Sequence, residues 1–385
     1  MEHLKIQNFG PIGNVDVELG DLTFFVGPQA SGKSITLETL KLIEDRDSII
    51  ETLDRYNYIL GHNAKRILNV YFGEGMESMW KSNTQIRLDD KELTLSNLST
   101  NSSGKETSVF YIPAQRIICM ADGYPKFFSD FSFTTPYVLR EFTETLRTFL
   151  QFGWTNKKTL FPIKERQKKI QVQSFDSSIF HNGEVIMSEM AGQKKMLLSI
   201  DGINIPFMAW SAGQKEFMPL LLGFYCLSES PSKVVKRERY STIIIEEPET
   251  GLHPKAIVSV LLQICSLMAE GYKVIVSTHS SILIEYAWAF NTLKDNSHNF
   301  HKALCALFEV EHDSALGKML KKICHKSVKT YFFSRQGQAA KVYTKDISTL
   351  DVASDEPDLS EWGGISEFST HVNDIVSAYY NGNGE

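Results

Sequence analysis

Several kinds of signal are missing from this 385-residue sequence. Cysteine is scarce: Cys119, Cys226, Cys265, Cys305 and Cys324 are scattered, with no C-x-x-C pair. An odd count without spacing argues against a disulfide framework or a zinc site. It predicts reduced core thiols in a cytoplasmic protein. Long apolar runs are also missing. The longest, near 256–269, is too short and too interrupted to span a bilayer, so no membrane association is expected. Met1-Glu2-His3-Leu4 has no basic start and no apolar run, so no secretory leader is expected. There is no internal repeat and no heptad run long enough for a coiled coil. Residues 346–385 lack Lys and Arg yet hold nine Asp or Glu; with −6 for the whole chain, the rest carries +3. Such a tail reads either as a solvated end or as a partner-facing or DNA-repelling segment. Hydrophobic residues at 42% and charged residues at 22% leave ample material for a core, in one large domain or two or three ordinary ones.

What is present begins with Gly27-Pro28-Gln29-Ala30-Ser31-Gly32-Lys33-Ser34, a G-x-x-x-x-G-K-S phosphate-binding pattern. A strand-like run, Leu22 to Val26, leads in, and a helix-like run, Ser34 to Ile43, leads out. That setting separates the motif from a glycine-rich turn before an ordinary helix. Glycines let backbone N–H groups curl around phosphate oxygens, and the helix N-terminus adds partial positive charge. Lys33 can reach the β- and γ-phosphates, and the Ser34 hydroxyl can ligate Mg²⁺. The chain is therefore expected to bind a nucleoside triphosphate.

Strands are predicted within 3–26, 82–112 and 170–208, with hairpin turns at Asn182-Gly183 and Asp201-Gly202. Helix is predicted over 34–68, most of 130–169, 212–228, 254–270, 281–290 and 302–323. Thr242–Ile245 and Lys273–Ser277 read as buried parallel strands, and 329–345 as a hairpin around Gln336-Gly337. Pro219 should bend its helix, at a cost of about 3 kcal/mol unless context absorbs it.

Four further motifs follow in order. Gln115 stands just past the strand Val109 to Ile112. Trp210-Ser211-Ala212-Gly213-Gln214-Lys215 opens a helix, with Ser211 as its N-cap and Gly213 allowing close approach. Ile243-Ile244-Ile245-Glu246-Glu247-Pro248-Glu249 ends an apolar strand in carboxylates, which places them at the carboxyl edge of a parallel sheet. One carboxylate there can hold Mg²⁺ through water and the next can orient the attacking water. His279 follows the strand Val274 to Ser277 and could reach the γ-phosphate or that water. Each motif alone has a bland reading: a capped helix, a solvated Glu-Glu turn, a structural histidine.

The order of phosphate loop, Gln loop, S-x-G-Q signature, acidic strand end and histidine resembles the ABC-type ATPase head. Leu4-Lys5-Ile6-Gln7-Asn8-Phe9-Gly10-Pro11-Ile12 and the E-E-P-E-x-x-L-H-P block resemble the RecF and SMC branch. Within that branch the similarity runs toward the ATPases of OLD nucleases and of anti-phage systems such as PARIS and Septu. It rests on residues 1–45 and 205–290.

The resemblance implies an α/β fold: a P-loop ATPase head with a parallel-sheet core and an antiparallel β subdomain. Its segments would be 1–45 (first part of the core), 46–204 (mixed helical and β insert), 205–345 (second part) and 346–385 (acidic tail). Gly27 to Ser34 would hold ATP, with Ser34, Glu246 and Gln115 on Mg²⁺. Glu247 would be the catalytic carboxylate, assisted by His279 and Gln115. Ser211, Gly213 and Gln214 would serve ATP held by an opposite subunit, making the protein a homo-oligomer. Gln29 stands where this branch usually has asparagine, and Trp210 where the signature usually has leucine. Arg116 is the alternative to Gln115 as the important residue of its loop.

Two outputs are weighed. One is a dimeric ATPase switch that controls a separate effector protein, such as a nuclease, in phage defence. The other is a RecF-like ATPase that clamps on DNA. Lys157-Lys158, Lys164 to Lys169 and Lys233 to Arg239 are basic enough to line a phosphate track, or to be solvated faces. A transporter head fits worse, because the insert is long. No D-x-D nuclease pattern or HNH-like cluster follows His279, which favours a separate effector. His298, His301, Asp295 and Cys305 match no metal-site pattern and read as ordinary helix or surface residues.

Overall fold

A computed structural model describes residues 2–60, 63–98, 106–153, 158–163, 169–190, 192–228, 236–338 and 340–380. The chain opens with strands β1 (His3–Phe9), β2 (Ile12–Glu18) and β3 (Leu22–Val26). Helices α1 (Lys33–Arg55) and α2 (Ala64–Phe72) follow, then β4 (Trp80–Leu88), β5 (Lys91–Leu93), the short α3 (Leu95–Leu98) and β6 (Val109–Ile112). A 3-10 turn over Arg116–Cys119 leads to the small strands β7 (Met120–Ala121) and β8 (Tyr124–Pro125). Next come α4 (Tyr137–Phe152), β9 (Thr159–Phe161), α5 (Lys169–Phe175), β10 (Glu184–Met190), β11 (Gln193–Ile200) and β12 (Ile203–Pro206). The second half holds α6 (Ala212–Leu227), β13 (Thr242–Glu246), α7 (Pro254–Ala269), β14 (Lys273–Ser277), α8 (Ser281–Asn296), α9 (Phe300–Leu307) and α10 (Ala315–Ile323). Strands β15 (Val328–Gln336) and β16 (Lys341–Asp346) and helices α11 (Pro357–Ser360) and α12 (Glu367–Tyr380) complete it.

One ten-stranded sheet runs β5-β4-β1-β2-β16-β15-β3-β14-β13-β6. Its β15, β3, β14, β13 and β6 are mutually parallel. The β1, β2, β4 and β5 flank is antiparallel. A second antiparallel sheet, β12-β11-β10-β9, lies within the 46–204 segment and the start of the next.

The parallel strands are buried on both faces, and their period-two alternation sorts side chains between two cores. Leu22, Phe24, Val26, Ile243, Ile245, Val274 and Val276 join the core beneath α6, α7 and α8. Phe25, Ile244, Ile275 and Tyr111 join the other, beneath α1 and α2. Near-continuous Ile/Val/Phe runs are what a doubly covered parallel strand requires. Parallel core, antiparallel flank and mixed helical and β segment give the α/β arrangement, parallel core with antiparallel β flank, that the sequence predicts.

Several local expectations are corrected. The helix predicted over 34–68 ends at Arg55 and resumes at Ala64, capped by the Asn63 side chain. Among the described residues of the 130–169 stretch predicted helical, only 137–152 form a continuous helix, and β9 lies inside that range. Asn182-Gly183 is no hairpin: His181 (φ 49°) and Asn182 (φ 64°) close a helical turn before β10. Asp201-Gly202 is the predicted hairpin, with Ile200 opposite Ile203 and positive φ at both turn residues. The 302–323 helix is two helices, because Ser314 caps α10 afresh. Helix α6 continues through buried Pro219. None of the five cysteines forms a disulfide, and four of them are buried. Part of the acidic tail is docked: Trp362 Nε1 donates to Leu350 O at 3.1 Å, and Lys345 pairs with Glu356 (2.6 Å) and Asp358 (3.1 Å). Among the described residues no helix is long and apolar enough to cross a membrane.

Candidate functional site

Neighbouring order β3-β14-β13-β6 puts four carboxyl ends side by side. The 27–34 loop follows β3, His279 follows β14, Glu246 and Glu247 end β13, and Gln115 follows β6. Register confirms the adjacency: Ser277 lies opposite both Phe25 and Glu246, and Ile245 opposite Ile112.

The 27–34 loop is held in an unusual backbone shape. Gly27 (φ 142°), Ala30 (φ 57°) and Gly32 (φ 84°) all have positive φ. A Cβ on Gly27 would lie 2.3 Å from Phe333 O, so only glycine lets the loop nest against β15. Arg335 of β15 donates through Nε to Ala30 O at 3.0 Å, and its Nη2 donates to the same oxygen. Lys33 Nζ curls back onto Gly27 O (2.8 Å), Pro28 O (3.0 Å) and Ser31 Oγ (3.3 Å). Burial brings the Lys33 ammonium down to about 8, against the opposing pull of Glu247, Glu246 and Glu249. The loop thus folds around its own lysine where phosphate oxygens would sit. Ser34 is exposed at the start of α1.

Glu246 is buried. Its Oε2 accepts weakly from Ala114 N (3.4 Å), and its Oε1 has no hydrogen-bond partner. Burial pushes this carboxyl up, opposed by the nearby Ser34 and Tyr111 hydroxyls. Glu38, one turn along α1 from Ser34, is pushed well up by burial and by the Glu246 charge. An orphaned buried carboxylate oxygen beside a serine hydroxyl fits a hard divalent cation that takes its remaining ligands from phosphate and water. Among the described residues no group of three or more His, Cys, Asp or Glu is arranged to hold a metal by itself.

Glu247 has φ 43°, a left-handed backbone unusual for a side-chain-bearing residue. Its side chain is 38% exposed, with Oε1 3.8 Å from His279 Nε2. Burial and the Lys33 charge lower the His279 pKa, so the ring favours its neutral form. The sequence pattern assigns Glu249 no role. In the fold its Oε1 accepts from Thr278 Oγ1 (2.8 Å) and His279 N (2.6 Å), tying the β13 turn to the β14 turn.

Gln115 is exposed beside this edge, while its neighbour Arg116 is fully buried. Arg116 Nη1 donates to Glu246 O (2.6 Å) and Pro113 O (3.1 Å), and Nη2 to Glu247 O (3.0 Å). Ser211 caps α6, accepting from Gln214 N at 3.3 Å, while Ser211 N donates to Gln214 Oε1 at 3.2 Å. Gln214 Nε2 donates to Ile179 O at 3.1 Å, so that side chain is committed to the cap. A Cβ on Gly213 would lie 2.6 Å from Gly251 O, which explains glycine where α6 meets the turn after Glu247.

Residues missed in the sequence had faint signals or none. Glu249 belongs to the E-E-P-E block and Glu38 lies four residues after Ser34. Arg335 comes from a hairpin 300 residues away and had none. Of the basic clusters, Lys157, Lys164 to Lys168 and Lys233 lie outside the described residues. Arg237 pairs with Glu270 (3.4 Å) and Arg239 with Glu106 (3.7 Å). His301 Nε2 lies 2.8 Å from Gly317 O and 3.4 Å from Cys305 Sγ, an ordinary helix-packing arrangement.

A family described as "AAA domain, putative AbiEii toxin, Type IV TA system" matches residues 146–285. The Old nuclease of Escherichia phage P2 is 38% identical over 69 residues, which is 18% of this chain and 12% of that protein. The chain is similar to an SMC head domain from Thermotoga maritima (TM-score 0.33, 13% identity, covering 74% of this chain and 90% of that one). It is also similar to an SMC head bound to the C-terminal winged-helix domain of ScpA (TM-score 0.41, 11% identity, 90% and 96%). A dimeric bacterial ABC transporter cassette is similar at a TM-score of 0.30, with 11% identity, over 72% and 88%. The family match takes in Ser211, Glu246, Glu247 and His279 but not the 27–34 loop.

Proposed function

We propose that this chain is a Mg²⁺-dependent ATPase that acts as a nucleotide-driven switch for a separate effector protein in phage defence. One observation carries the ATPase part: the carboxyl ends of β3, β14, β13 and β6 bring Lys33, Ser34, His279, Glu246, Glu247 and Gln115 to one sheet edge. Lys33 would leave its own loop carbonyls and turn to the β- and γ-phosphates. Ser34, Glu246 through its orphaned oxygen, and Gln115 would hold Mg²⁺. When bound, Mg²⁺ neutralises charge on those phosphates. Glu247 would orient and deprotonate the attacking water, with His279 beside it.

Ser211 and Gly213 would serve ATP held by a second copy. Supporting this, Ser211 is exposed at the N-terminus of α6, where backbone N–H groups favour an anion. The effector part is supported by α12. Phe368 (77%), Val372 (39%), Ile375 (47%) and Val376 (58%) form an exposed apolar stripe at i, i+4, i+7 and i+8. The short segment similar to Old nuclease makes a nuclease the first effector to test.

Phosphate release from ATP, with and without Mg²⁺, tests the enzyme. Light scattering of Glu247→Gln with saturating ATP tests sharing; a strict monomer at micromolar concentration counts against it. Pull-down with the product of the adjacent gene, with and without ATP, tests the switch. A purified chain that cleaves nucleic acid alone, with no protein co-purifying, would overturn the separate effector.

A further inference from the structure

We infer that Arg116 is a positioning residue: its buried guanidinium fixes the backbone of Glu246 and Glu247, in a loop on which helix α6 and its Glu216 pack. Three of its hydrogen bonds go to main-chain oxygens, and two of those oxygens belong to the acidic pair, Glu246 O at 2.6 Å and Glu247 O at 3.0 Å. Carbonyls at the end of a strand have no next ladder partner, so a planar fork with fixed donors is suited to hold two together. The Glu247 backbone needs holding, since its φ of 43° is unfavourable for a residue with a Cβ. Glu247 N donates to Ser277 O (2.8 Å), and Thr250 N donates to Glu247 O (3.1 Å). Arg116 therefore closes one side of a conformation that aims the Glu247 carboxylate.

The link to α6 rests on packing, and no hydrogen bond joins Arg116 to Glu216. Helix α6 packs directly on the 116–119 turn. Glu216, on its first turns, has a buried Oε2 without a partner, and Arg116 has an Nε without one. Glu216 also sits against the turn after Glu247: a Cβ on Gly251 would lie 3.5 Å from Glu216 Cγ. Burial raises the Glu216 carboxyl, and the Arg116 charge opposes this. Gln115 is exposed on the outer side of the same loop, so this role belongs to its neighbour.

The kinetic arm of the test rests on the ATPase reading; the exchange arm does not. Amide hydrogen exchange is measured on nucleotide-free Arg116→Lys, Arg116→Gln and Glu216→Gln, comparing peptides over 246–252 with control peptides over 3–18. Both Arg116 variants should exchange roughly tenfold faster over 246–252, with the controls unchanged. Lysine should not rescue, because a point charge cannot replace the fork. Glu216→Gln should loosen the same peptides less, and adding it to Arg116→Gln should change nothing further. In the kinetic arm, Arg116→Lys should lower kcat about a hundredfold while ATP affinity stays within about threefold. A folded Arg116→Lys or Arg116→Gln protein with wild-type exchange over 246–252 overturns the positioning role. So does exchange that rises equally in the control peptides. Additive Arg116 and Glu216 effects overturn the link to α6. If Arg116→Gln does not fold, Arg116→Lys and Glu216→Gln decide. Absence of turnover in the wild type would sink the ATPase reading and leave the exchange result to judge Arg116.

Discussion

Two clusters of buried charge sit at opposite ends of β6, and they are satisfied very differently. At its amino end, Lys41 Nζ reaches Asp45 Oδ2, Glu141 Oε2 and Val109 O, all at 2.9 Å. Asp45 also accepts from Ser108 N (2.8 Å) and Val109 N (3.1 Å), and Glu141 accepts from the Tyr137 hydroxyl (3.2 Å). All three ammonium protons have acceptors. Beyond the carboxyl end of β6, Glu246 Oε1, Glu249 Oε2, Glu216 Oε2 and Arg116 Nε lack partners. Each such group costs about 1–3 kcal/mol. The paired cluster bonds α1, α4 and the edge strand into one body. The orphaned cluster lies at the sheet edge where the proposed function places ATP and Mg²⁺. The two clusters differ in pairing more sharply than in burial.

The widest separation between the clusters should come from their lysines. Lys33→Ala should abolish nucleotide binding while leaving the nucleotide-free melting temperature little changed, read by fluorescent-nucleotide titration and calorimetry. Next, Glu247→Gln should keep ATP bound but slow turnover by roughly 10²–10⁴-fold, checked by single-turnover phosphate release. At the paired end, Lys41→Ala should leave Asp45 and Glu141 buried without their counter-ion. It should cost about 3–5 kcal/mol in denaturant unfolding, with ATP affinity in the folded fraction unchanged. A Lys41 variant that loses nucleotide affinity but not stability would reverse the contrast.

The smallest effect is a pH dependence. Lys33 is held at about 8 in the nucleotide-free fold, against 10.5 when unfolded. Between those values the folded chain binds fewer protons than the unfolded one, so this group's contribution to nucleotide-free stability rises with pH. Phosphate needs the ammonium, so ATP affinity should fall, with proton uptake on binding, as pH rises above about 8. Calorimetry in buffers of different ionisation enthalpy measures both.

Local patterns carried much of this protein. The G-x-x-x-x-G-K-S run, the apolar strands before Glu246 and His279, and the capping pair Ser211 and Gln214 are short-range features, and all were legible. Boundaries were harder where local preference was even, as in the break between α1 and α2 and the loss of a hairpin at Asn182-Gly183. Gln214 shows the limit within the site. The motif names it with the ligand-facing residues, yet both ends of its amide are used by the cap and by Ile179 O.

By itself the sequence determined the α/β class, the phosphate loop and the identity of the carboxylates at the strand end, because periodicity and motif spacing are properties of neighbouring residues. Tertiary structure alone decided which buried charges are paired and which are orphaned. It also decided that Arg116 rather than Gln115 grips the acidic turn, and that Arg335 and Phe333 shape the phosphate loop from the far end of the chain. The physical reason is that a buried polar atom is satisfied or stranded by whatever distant segment the sheet order places against it.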